Sequence, residues 1–79
     1  MNRVKLKKSF IGAEIRGLRA KNNISQNTLA NELKIDLLQL KKLENGFKMP
    51  SLIEIVSICN FFNIYIEEFL EYKHIWIAE

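Results

Sequence analysis

The side chains that could do chemistry in these 79 residues do not assemble into a reaction centre. Glu44 has no second carboxylate or histidine at a spacing that would make a general acid–base pair. His74 is the single histidine, and zinc asks for three or four ligands. Cys59 is also single, which excludes an internal disulfide, and it lies among apolar residues at helical spacing, as a small core hydrophobe does. There is no nucleophile–base pairing, no phosphate-binding glycine loop and no metal-ligand cluster, so no enzyme, metal or cofactor is expected. What remains is one stretch, residues 26–48, rich in amide and ammonium donors, with Leu37 and Leu38 among them. Amide and ammonium groups of this kind suit the oxygen atoms of a polyanion.

The charge distribution points the same way. The formal net charge is +3, but residues 1–48 hold 11 Lys and Arg against 4 Asp and Glu, while residues 49–79 hold 1 against 5. A basic half joined to an acidic half fits a protein with one side turned to nucleic acid. Hydrophobic residues make up 48% of the chain, too many for a disordered one. No apolar run reaches the ~18–20 residues that span a bilayer. Arg3, Lys5, Lys7 and Lys8 are not followed by the apolar run of a secretory leader, so a cytoplasmic location and no membrane partner are expected. The length suits a single domain, 1–79, whose small core is marginal alone, which favours a homodimer.

Residues 25–46, SQNTLANELKIDLLQLKKLENG, must position the donors. Ser25 is a good N-cap, and Leu29, Ala30 and Leu33 follow at helical spacing. The run stops at Lys34 and Ile35. Asp36 offers a second cap, and Gln39 three residues on completes a capping-box pattern. Leu40 and Leu43 point inward, leaving Leu37, Leu38, Lys41 and Lys42 outward. Asn45 and Gly46 end the second helix, because glycine accepts the left-handed conformation found there. Two short helices joined by about 3–4 residues make a helix-turn-helix, whose second helix commonly enters a DNA major groove. Leu37 and Leu38 cannot hydrogen-bond; against bases they would pack on thymine methyl groups.

The ordered set Ser25, Gln26, Leu29, Ala30, Leu33, Ile35, Leu40, Leu43, Glu44, Gly46 and Pro50 resembles the phage Cro/repressor-type (xenobiotic-response-element) helix-turn-helix family of DNA-binding proteins. The match runs upstream through Ile15, Leu18 and Arg19 and downstream through Leu52, Ile55, Ile58, Phe62, Ile64 and Phe69, covering roughly residues 10–70. The resemblance implies an all-α, compact five-helix, lambda-repressor-like domain. It implies that Arg19 pairs with Glu44, that Gln26 anchors a phosphate and that Lys42 reaches guanine O6 or N7. Asn27, Asn45 and Lys48 are further candidates for the DNA backbone. Two positions depart from the family: Lys34 stands where glycine is common, and Leu37 and Leu38 stand where relatives place polar base readers. The family includes phage repressors, restriction-modification controllers and antitoxins, and it commonly works as a two-fold dimer on a palindromic operator.

Around this centre, Ser9 is expected to cap a first helix that runs to about Asn22 and buries Ile11, Ile15 and Leu18. Gly12 and Gly17 weaken that helix, and either can admit a close neighbour. Phe47, Lys48 and Met49 form a loop. Ser51 and Glu54 make another capping box, opening a helix to about Phe62 with Leu52, Ile55, Ile58, Cys59 and Phe62 inward; Asn63 stops it. A fifth helix covers about residues 66–72. The β-branched and aromatic tail, Ile75, Trp76 and Ile77, reads as a short strand that pairs with the Val4/Leu6 segment or with a second subunit. Surplus apolar residues, Phe61 and Tyr65 among them, join Ile75, Trp76 and Ile77 as candidates for the dimer contact. The expected function is sequence-specific double-stranded DNA binding by a transcriptional repressor. The competing reading is a protein-interaction module, an antitoxin or antirepressor, in which Leu37 and Leu38 meet another protein.

Overall fold

Helices form where apolar residues recur at helical spacing, and their order is that of the expected all-α fold. A computed structural model describes residues 4–70 and 76–78. Strand β1 (Val4–Leu6) leads into α1 (Lys8–Asn22), α2 (Gln26–Leu33), α3 (Leu37–Glu44), α4 (Leu52–Phe62) and α5 (Ile66–Leu70), and β2 (Trp76–Ala78) follows. The two strands pair antiparallel, with Val4 opposite Ala78, Lys5 opposite Ile77 and Leu6 opposite Trp76. The expected partner of the tail strand is therefore found within the chain. His74, Ile75 and the expected end of the fifth helix at Tyr72 lie outside the described residues.

One core holds the helices together. Ile11, Ile15 and Leu18 of α1 meet Leu29 and Ala30 of α2, Leu40 and Leu43 of α3, Ile55, Ile58 and Cys59 of α4, and Phe69 of α5. Cys59 is the small hydrophobe expected, and burial, with the charge of Glu67, pushes its thiol pKa up. α1 packs on α3, and α2 packs on both α3 and α4. Gly12 allows the first of these contacts: a Cβ there would lie 2.6 Å from the Leu43 carbonyl oxygen and closer still to that of Glu44. Gly46, at φ +76°, turns the chain after α3 past the Ser9 backbone.

Three helices end alike. Asn23 (φ 58°), Lys34 (φ 58°) and Asn63 (φ 56°) are left-handed. The next residue, each time an isoleucine, donates its N–H to a carbonyl five residues back: Ile24 to Arg19 (2.9 Å), Ile35 to Ala30 (3.0 Å) and Ile64 to Cys59 (3.0 Å). All three isoleucines pack against the core, as this terminating motif favours. Asparagine visits the left-handed region readily, whereas lysine does not. Lys34→Gly should therefore raise stability by about 0.5–1 kcal/mol, the relieved Cβ strain outweighing glycine's larger unfolded-state entropy. A higher urea midpoint at unchanged m-value would show it.

Three expectations need correction. Ser9 does not cap α1; the helix starts at Lys8, and Lys7 occupies the cap position without a side-chain bond. Instead the Lys7 carbonyl accepts from the N–H groups of Phe10 and Ile11, and its ammonium lies 4.5 Å above the Phe10 ring. The Asp36–Gln39 capping box does not form, because Asp36 makes no side-chain cap bond and Gln39 is drawn to Glu54. Leu52 is not inward but 69% exposed. The buried stripe of α4 centres on Ile55, Ile58 and Cys59, and Leu52 falls at its flank in the first turn, beside exposed Ile53 and Val56. The Ser51–Glu54 capping box, by contrast, is complete in both directions.

Candidate nucleic-acid interface

The donors singled out in the sequence are carried by α2, α3 and the loop after α3. α2 starts at Ser25, whose Oγ accepts from the Thr28 N–H at 3.0 Å. This leaves Gln26 and Asn27 in the first turn, where free N–H groups and the helix dipole favour an anion. Asn27 is exposed. Gln26 is half-buried, and its amide nitrogen donates to Glu44 Oε1 at 2.9 Å. The side chain proposed for a phosphate is thus already oriented by α3.

Glu44 is the fixed point of the site. It is fully buried, and the expected partner is in place: Arg19 Nε donates to Oε2 at 2.6 Å and Nη2 to Oε1 at 2.9 Å. That fork holds the Arg19 guanidinium above its already high pKa, chiefly through the hydrogen bond to Glu44. Arg19 also donates to the Ile24 carbonyl at 3.1 Å, and Arg16 donates to the Glu44 carbonyl oxygen. Two cations therefore meet the C-terminal end of α3, where the helix dipole is negative. The Arg16 and Gln26 contacts were not foreseen; a cation one turn before Arg19 was the sequence signal for the first.

The other end of α3 is tied as well. Gln39 Nε2 donates to Glu54 Oε2 at 2.6 Å, while Glu54 Oε1 accepts from the Ser51 N–H at 2.8 Å. The cap of α4 thus doubles as a brace for α3. Between the ties, Lys41 and Lys42 are exposed, and Leu38 is 64% exposed. Leu37 differs from expectation: it is half-buried and packs against the core, so α3 offers Leu38 far more than Leu37. Asn45 and Lys48 are exposed beyond the helix. Lys42 and Lys48 share a shallow depression of about 250 Å³ with Asp36, Leu38 and Gln39.

Among the dimer candidates, Tyr65 is 74% exposed, whereas Phe61 is half-buried and meets Phe62 edge-on at 5.0 Å. Trp76 and Ile77 lie in β2. Among the residues whose burial is described, apolar side chains are also exposed in the stretch after α3: Phe47, Met49, Leu52, Ile53 and Val56. No helix among the described residues is long and apolar enough to cross a membrane.

A family model described as a helix-turn-helix domain matches residues 12–73. No curated protein matches significantly. The chain is similar to the clp gene regulator ClgR of Corynebacterium glutamicum, at 25% identity and a TM-score of 0.77, over 85% of this chain and 87% of that one. It is similar to the restriction-modification controller protein C.AhdI of Aeromonas hydrophila, at 27% identity and a TM-score of 0.73, over 78% of this chain and 94% of that one. It also resembles ComR of S. thermophilus, at 26% identity and a TM-score of 0.73, over 81% of this chain but 22% of that one. With α2 and α3 joined through a left-handed Lys34 and locked to α1 by Arg19 and Glu44, the chain belongs to the helix-turn-helix domain family, among its Cro/repressor-type regulators.

Proposed function

We propose that this protein binds double-stranded DNA in a sequence-specific way as a homodimer and represses transcription by occupying a palindromic operator in the cytoplasm. The observation that carries this reading is the presentation of α3: a helix braced at both ends, with Leu38, Lys41 and Lys42 on its open face. Leu38, Lys41 and Lys42, with the accessible part of Leu37, face base edges. Gln26, Asn27, Asn45 and Lys48 hold phosphates on either side and set the register without reading sequence. A second copy covers apolar surface that a lone domain leaves open, including Tyr65 and the outer face of α4, and places a second α3 about 34 Å away, one turn along the duplex.

Selection of bound duplexes from a random pool tests this reading. The expected product is an inverted repeat whose half-sites are about 10 base pairs apart, centre to centre. Lys42→Ala should relax preference at one position at a cost of about 1–3 kcal/mol, while Lys48→Ala should weaken all duplexes alike and lower the salt slope by about 1. Identical behaviour of the two variants on selected and random DNA would show that Lys42 does not read bases. The exposure of Leu38 and Phe47 favours one competing reading, a module whose α3 meets another protein. In that case the random pool returns no enriched sequence.

A further inference from the structure

The depression at the start of α3 has a composition that the general reading does not use. Leu38 and Lys42 are one turn apart on the same face of α3, and Asp36 precedes the helix. Asp36 sits at the N-cap position, yet its carboxylate caps nothing. Gln39, the other polar side chain of the helix start, has its amide nitrogen committed to Glu54. With Gln39 half-buried and turned to Glu54, the exposed groups of the depression are the Asp36 carboxylate, the Leu38 side chain and the Lys42 and Lys48 ammonium groups.

Each has a distinct complement in the major groove. A carboxylate accepts from the N4 amino group of cytosine and is repelled by the O4 acceptor of thymine. An exposed leucine gains from a methyl group at C5 of a pyrimidine, and a lysine reaches guanine O6 and N7. Cytosine satisfies Asp36 but offers Leu38 no methyl group; thymine offers the methyl group but sets an acceptor against Asp36. One base supplies both.

We infer that this depression reads 5-methylcytosine next to guanine in duplex DNA: Asp36 takes the N4 amino group, Leu38 the C5 methyl group and Lys42 the neighbouring guanine. The inference rests on the DNA-binding reading above and replaces thymine by 5-methylcytosine as the preferred partner of Leu38. Lys42 and Lys48 offset the repulsion between Asp36 and nearby phosphates, so the carboxylate acts in discrimination while the lysines carry affinity.

The test starts from two random duplex pools, one made with cytosine and one with 5-methylcytosine. The selected half-site is then resynthesised with cytosine, 5-methylcytosine, thymine or uracil at the step beside guanine, and binding is followed by fluorescence anisotropy at fixed salt. Wild type should bind the 5-methylcytosine duplex about fourfold more tightly than the cytosine duplex, the value of one buried methyl group. It should also favour 5-methylcytosine over thymine. Leu38→Ala should bind cytosine and 5-methylcytosine alike. Asp36→Ala should bind 5-methylcytosine and thymine alike while still preferring both to uracil. Equal wild-type binding to cytosine and 5-methylcytosine would overturn the inference, as would a methyl preference that survives Leu38→Ala or a wild-type preference for thymine. Enrichment of a sequence with no response to the methyl group overturns only this inference; no enrichment from either pool overturns the DNA-binding reading with it. Leu38 and Asp36 are both exposed, so the variants retain the fold.

Discussion

Arg19→Ala should be among the most destabilising single changes in this chain, costing about 3 kcal/mol or more in a urea or thermal unfolding experiment. The reason is the asymmetry of the pair: the Arg19 side chain is 18% exposed, while that of Glu44 is 0% exposed. Without arginine the carboxylate keeps only the Gln26 amide among its side-chain donors, and it cannot turn to water. Glu44→Gln should cost less, because its amide oxygen keeps the two bonds made at Oε1 and only Arg19 Nε, near enough to solvent to be hydrated, loses its acceptor. Equal losses for the two variants would mean that the pair contributes through packing rather than through its charge.

The second large effect concerns the same chemical change at two sites in α1. Gly12→Ala puts a Cβ against the backbone carbonyls of Leu43 and Glu44, which no side-chain rotation relieves. The overlap should cost about 1–3 kcal/mol and shift α3, weakening DNA binding further. Gly17→Ala meets nothing within 4 Å. It should stabilise by about 0.5–1 kcal/mol, the helix-propensity difference between the two residues. Opposite signs within one helix would establish that Gly12 is required by the α1–α3 contact and Gly17 is not. Two stabilising substitutions would mean that α3 tolerates a more distant α1.

The contrast also shows what was legible in the sequence. Features set within a turn or so were readable: the Ser25 cap, the Ser51–Glu54 box, the end of α1 at Asn22, the stop at Asn63, and the buried faces of α1 and α3. The Arg19–Glu44 pair spans 25 positions and came from family resemblance, not from spacing. Some expectations failed because a distant partner overruled a local pattern. Gln39 would have bonded the Asp36 backbone, but Glu54, 15 positions away, offered a charged acceptor. Leu37 counts as outward on the helix, yet it packs on the core at the helix start. Both glycines of α1 look alike in sequence, and only the path of α3 tells them apart.

The ties at the two ends of α3, Gln39 to Glu54 and Glu44 to Arg19, have a kinetic consequence. In the function proposed above, α3 arrives already held in one orientation and spends little ordering entropy, so encounter should follow a single second-order phase without a slow isomerisation. Ionic strength should then act mainly on the speed of arrival, through the lysines, and base changes mainly on residence time. Cutting the Gln39 tie with Glu54→Ala would loosen the start of the helix and introduce a lag that the intact domain lacks.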